Sequence, residues 1–97
     1  MPIALTSRQR ARLKARAHAL EPTVQIGQAE VSDTVVAEVD RSLTAHGLIK
    51  AKLAGGRDER DSLAKTLSER TDATIVQQVG RIVILWRPRP DDEPLDD

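Results

Sequence analysis

Apolar and polar positions alternate along this chain with two different periods. Leu13, Ala17 and Leu20 recur at helical spacing and form one narrow stripe. Thr6 three residues before Gln9 fits a capping box, with Leu5 as a staple residue, so a helix is predicted over residues 7–17. Pro22 ends it, and a short strand follows over residues 23–26, stopping at Gly27. Ser32 or Asp33 caps a second helix whose core face is Val35, Val36, Val39 and Leu43. Gly47 stands where a left-handed residue closes a helix. The period then changes to two. Ile49, Ala51 and Leu53 point one way, and Leu48, Lys50 and Lys52 the other, which predicts a strand over residues 48–53.

After the Gly55-Gly56 turn, Asp58 is the expected cap of a third helix. It runs to about Arg70 with Leu63, Ala64 and Leu67 inward. Two further strands, residues 74–79 and 82–87, flank a tight hairpin turn at Gly80-Arg81. The last strand is apolar on both faces, Ile82, Ile84 and Trp86 against Val83 and Leu85, as a central or well-covered strand requires. The order α-β-α-β-α-β-β predicts a compact open α/β sandwich, a small four-stranded mixed sheet with three helices. Pro88 and Pro90 end the order, so residues 1–90 are read as one domain and residues 91–97 as a disordered acidic tail.

Composition narrows the chemistry. Cysteine is absent, which removes disulfides, thiolate nucleophiles and iron–sulfur clusters. His18 and His46 show no metal-ligand spacing and read as helix-end residues. There is no phosphate-binding glycine loop of the Gly-Lys-Ser/Thr kind, no dinucleotide fingerprint and no recognised catalytic triad. An enzyme is therefore not expected, nor a cofactor, a metal or a small-molecule substrate. The first residues lack the apolar core of a signal peptide, and no run approaches the ~18–20 apolar residues of a membrane span. A cytoplasmic protein without a membrane partner is the expectation.

The formal net charge is zero, but its distribution is uneven. Residues 1–90 hold all fifteen bases against ten acids, a balance of about +5, and the last seven residues hold the other five acids. The tail either folds over a basic surface or simply solubilises the chain. The first helix carries Arg8, Arg10, Arg12, Lys14 and Arg16 and no acid. Lys50 and Lys52 share one face of a strand, and Arg57, Arg81, Arg87 and Arg89 lie in or beside loops. Such a surface suits a polyanion, because phosphate contacts release condensed counterions and guanidinium donors form a planar fork. Gly27, between strand and helix, lets backbone approach a phosphate, although a plain turn serves equally well. Trp86 is the only aromatic residue and reads as sheet packing before base stacking, so shape and backbone recognition is favoured over base reading.

Three segments then resemble the CRM domain (chloroplast RNA splicing and ribosome maturation), in particular its small stand-alone bacterial members. They are residues 5–22, from Leu5-Thr6-Ser7-Arg8 to Leu20-Glu21-Pro22; Val24-Gln25-Ile26-Gly27 with residues 36–53; and residues 78–88, Gln78-Val79-Gly80-Arg81 to Trp86-Arg87-Pro88. The resemblance implies a fold like the C-terminal domain of a bacterial translation initiation factor. It also implies RNA contact through a Gly-x-x-Gly loop and neighbouring bases. Here that loop is Gly27-Gln28-Ala29-Glu30, with Glu30 at the second glycine position. The bacterial members are associated with precursors of the large ribosomal subunit. The expected contact set is Arg8, Arg10, Arg12, Lys14, Arg16, Gly27, Gln28, Lys50, Lys52, Arg57, Arg81 and Arg87. The expected role is assistance in large-subunit assembly by binding ribosomal RNA or its precursors. An adaptor docking on a ribosomal protein is the alternative.

Overall fold

The computed structural model of the protein describes residues 4–22, 24–27 and 31–89. The predicted tail, the loop residues Gln28 and Glu30, and Thr23 at the start of the first strand lie outside the described residues.

The element order is α1 (Ser7–Ala17), β1 (Val24–Ile26), α2 (Asp33–His46), β2 (Leu48–Leu53), α3 (Arg57–Thr71), β3 (Thr74–Val79) and β4 (Ile82–Trp86). Local chemistry sets most boundaries. The Thr6 hydroxyl accepts from the Gln9 amide at 3.1 Å, and the Gln9 side chain accepts from the Thr6 amide at 3.0 Å. The Ser32 hydroxyl caps α2 by accepting from the Val35 amide at 3.2 Å. Gly47 closes α2 at a φ of 76°, a value that a side chain disfavours. One cap differs from expectation. Gly56 precedes α3 with no side-chain cap, and Asp58 sits inside the first turn with Glu59. There the two carboxylates favour the helix through its dipole rather than through a capping bond. The last strand ends at Trp86, one residue earlier than expected, while the Arg87 amide still donates to the Gly47 carbonyl at 2.8 Å.

The sheet order is β1-β2-β4-β3, with β1 parallel to β2 and β4 antiparallel to both its neighbours. The sheet is mixed and β4 is central, which suits its doubly apolar sequence. Two cores result. On one face, Val39 and Leu43 of α2 and Leu63, Ala64 and Leu67 of α3 pack on Val24, Ile26, Ile49, Ala51, Leu53, Val83 and Leu85. On the other, Leu13 and Ala17 of α1 pack on Leu48, Val76, Ile84 and Trp86, with Leu5, Leu20 and Ile82 at the margin. Trp86 is thus a packing residue, buried under α1.

The β3–β4 register breaks once. Ile75 pairs with Leu85 and Gln77 with Ile84, leaving Val76 as the extra residue of a β-bulge. Val76 points into the α1-side core, and Gln77 lines a hollow on that same side. Strict alternation would have put them on opposite faces.

Candidate nucleic-acid interface

The layers separate charge. Among the described residues, α1 and all four strands contain no Asp or Glu. Asp33, Glu38 and Asp40 lie on α2; Asp58, Glu59, Asp61 and Glu69 lie on α3; Glu21 and Asp72 lie in connections. The α1 helix and the strands beneath it are therefore basic, most of the acids are carried by the helices on the opposite face, and Glu21, in the loop after α1, is the acid that borders the basic side among the described residues. At physiological salt, where the screening length is about 8 Å, such a face keeps its own potential.

The bases of α1 divide around its buried stripe. Lys14 and His18 line a hollow on the sheet together with Lys50, Gln77, Val79, Ile82 and Ile84. Arg16 lines a different hollow, with Ala19, Leu20, Glu21, Pro22, His46 and Leu48. Arg8 and Arg12 are exposed and share the Arg16 flank by their four-residue spacing. Lys50 is half-buried, and its ammonium donates to the Leu20 carbonyl at 3.1 Å, tying the end of α1 to β2. Lys52 is exposed, opposite Ile82 on one side and Gln25 on the other. Lys14 and Lys50 thus share one hollow, Lys52 follows two residues along β2 on the same sheet face, and Arg8, Arg12 and Arg16 line the other side of α1.

A second group gathers at one end of the sheet. The Ala54 amide donates to the Ile26 carbonyl at 3.0 Å and the Leu53 amide to the Arg81 carbonyl at 2.6 Å. These bonds bring Gly27, the Gly55-Gly56 turn and the Gly80-Arg81 hairpin together. Arg57, at the start of α3, lines a polar hollow with Arg60, Asp61, Gln78 and Gly80. Gly27, Lys52, Arg57 and Arg81 therefore surround the same end of the fold, close to the positive end of the α3 dipole.

Besides Lys50, two expected contact residues have engagements within the protein. The Arg10 guanidinium donates to the carbonyls of Ile75, at 2.8 Å, and Val76, stitching α1 to the bulge. Arg87 donates to the Asp40 carboxylate at 2.6 Å, the Thr44 hydroxyl at 2.9 Å and the Thr71 carbonyl at 2.8 Å. It joins β4 to α2 and α3 on the acidic side, away from Lys50 and Lys52. Arg70 and Arg89 brace α2 as well, through Asp33 and Val31 and through the Ala45 carbonyl respectively.

Three residues outside the expected contact set, Gln77, Val79 and His18, border the same hollow as Lys14 and Lys50. His18 is the α1 C-cap, as the local reading has it, but it also borders the hollow with Lys14. Gln77 and Val79 reach that face because of the bulge, which has no simple sequence mark. Among the described residues, no group of three or more His, Cys, Asp or Glu is placed to hold a metal ion, and no helix is long and apolar enough to cross a membrane.

Known proteins resemble this chain in sequence and in fold. A protein of Methanocaldococcus jannaschii, named as a probable RNA-binding protein, is 40% identical over 88 residues, which cover 88% of this chain and 65% of that protein. The chain thus spans just under two thirds of that relative's length. A Haemophilus influenzae protein named as an RNA-binding protein is 36% identical over 85 residues, covering 87% of this chain and 86% of its own. A Staphylococcus aureus protein with a known solution structure has the same fold, with a TM-score of 0.82 at 29% identity, covering 96% of this chain and 98% of that one. Residues 5–87 match the model of the CRS1/YhbY (CRM) domain, nearly the whole of both cores and the basic face, and the chain belongs to that family.

Proposed function

We propose that this protein binds RNA through the face that carries α1, that its target is structured ribosomal RNA or a precursor of it, and that it assists assembly of the large ribosomal subunit in the cytoplasm. The carrying observation is the segregation of charge: α1 and the sheet hold Arg8, Arg12, Lys14, Arg16, Lys50 and Lys52 with no carboxylate among them. Phosphates along α1 and over Lys50 and Lys52 would position the RNA, and the glycine-rich end with Arg57 and Arg81 would extend the contact. The names of the relatives, as RNA-binding proteins, support the same partner class. The protein supplies shape and charge and performs no covalent step.

Crosslinking to cellular RNA, followed by mapping of the contacts, tests the target. Enrichment on large-subunit ribosomal RNA is expected, and a signal spread evenly over all RNA would remove the ribosomal part of the reading. Titration against a ribosomal RNA fragment at increasing salt tests the mode. A steep fall of affinity is expected, whereas salt-insensitive association with ribosomal particles would favour docking on a ribosomal protein. For that alternative, the hollow between Leu20, Pro22, His46 and Leu48 offers a half-apolar surface.

A further inference from the structure

The basic face is not uniformly polar. Val79 is 60% exposed, and it is the one large hydrophobic residue so exposed among the described residues. It stands on β3 opposite Ile82, beside the Gln77–Ile84 pair. These four residues, with Lys14, His18 and Lys50, line a hollow of about 250 Å³ between α1 and the uncovered part of the sheet. Its wall is mostly apolar, its rim is cationic, and no acid among the described residues lines it. The volume lies below the roughly 300–1,000 Å³ of sites that enclose a drug-sized ligand, and suits one flat ring better than a larger molecule.

The bulge makes this hollow. Without Val76 as an extra residue, alternation would turn Gln77 and Val79 towards α3 and bring Gln78 to the basic face. Gln78 instead points to α3, where its amide donates to the Asp61 carboxylate at 2.9 Å. Arg10 holds the bulge through the carbonyls of Ile75 and Val76. An apolar floor, a side-chain amide and lysines at the rim are therefore placed together by a specific backbone irregularity.

We propose that this hollow takes one unpaired RNA base. The base would lie on Val79, Ile82 and Ile84, its edge would meet the Gln77 amide, which offers both a donor and an acceptor, and its flanking phosphates would run past Lys14 and Lys50. A regular duplex keeps its bases stacked and cannot offer one to such a cavity, so the site selects RNA with a bulged or looped-out nucleotide. The proposal rests on the RNA-binding reading and adds to it a preference for unpaired structure.

The test uses the full chain and two RNA hairpins of similar length, one fully paired and one with a single unpaired nucleotide in its stem. The protein should bind the bulged hairpin roughly tenfold more tightly, the scale set by one hydrogen bond and burial of part of Val79. The double variant Gln77→Ala, Val79→Ser should lose that preference and bind the paired hairpin as the parent does, which also shows that it is folded. Equal affinity of the parent for both hairpins would overturn the base site while leaving RNA binding intact. A preference that survives in the double variant would also overturn it, because the base would then be read elsewhere. Binding of neither hairpin at low salt would overturn the base site and the RNA-binding reading together.

Discussion

The guanidinium of Arg10 donates to the carbonyl of Ile75 at 2.8 Å, across a separation of 65 residues in the chain. A second bond from the same nitrogen reaches Val76, so one side chain satisfies two carbonyls where the β3–β4 register breaks. A β-bulge leaves backbone groups without strand partners, and such groups are costly when they are shielded from water. Arg10 therefore acts as a clamp between the basic helix and the edge strand, and its position on α1 says nothing of that role until the sheet is in place.

Replacing Arg10 by Ala should lower unfolding stability by about 1.5–3 kcal/mol, the range for hydrogen bonds that involve a charged group. The slope of RNA affinity against salt should stay as in the parent, because this arginine is engaged inside the protein. Urea unfolding monitored by circular dichroism, with a salt titration of the folded variant, measures both. A slope reduced by one phosphate contact would identify Arg10 as an RNA contact instead.

Arg87 should behave in the same way for a different reason. Its bonds to Asp40, Thr44 and Thr71 hold β4 against α2 and α3, with its side chain 22% exposed and that of Asp40 55% exposed. Partial exposure screens the ion pair, so Arg87→Ala should cost about 1–2 kcal/mol. RNA affinity of the folded variant should not change. The denaturation midpoint and the dissociation constant, measured on one preparation, separate the two effects.

Lys52 should show the opposite pattern. It is exposed on the basic face, so Lys52→Gln should shift stability by less than about 0.5 kcal/mol. Its affinity for RNA should fall roughly five- to tenfold near 0.1 M salt, and the logarithmic salt slope should shrink by about 0.7–0.9. Arg12→Gln, on the other flank of α1, should do the same if RNA straddles the helix. Lys65→Gln on α3 is the control, being exposed in the layer that carries the acids, and it should leave affinity unchanged.

Leu13 is fully buried between α1 and the sheet. Leu13→Ala should cost about 2–5 kcal/mol, through lost burial and the cavity it leaves. In a domain of this size that lowers the thermal midpoint by about 10 °C or more. Because the loss is concentrated at the α1–sheet junction, amide exchange should rise first in α1. Uniform acceleration through α2 and α3 would mean that the two cores unfold as one.

The sequence alone determined the seven elements, the two-faced character of β4 and the sidedness of Lys50 and Lys52. Each depends on residues near one another in the chain: a cap three residues before its partner, a glycine after a helix, an alternation along one strand. The CRM likeness was legible for the same reason, in three ordered segments. Only the tertiary structure decided which charges act outward. Helical spacing sorts the α1 bases into two rows, Arg8, Arg12 and Arg16 on one flank of the buried stripe and Arg10 and Lys14 on the other, yet only packing against β3 turns Arg10 inward. Arg87 follows a strand like a loop base, yet α2 and α3 close around it. Gln77 and Val79 reach the basic face because one residue bulges out of register, an outcome set by the pairing of β3 with β4 and by a bond from a helix more than sixty residues away. Such facts depend on where distant segments meet, and local spacing carries no information about that.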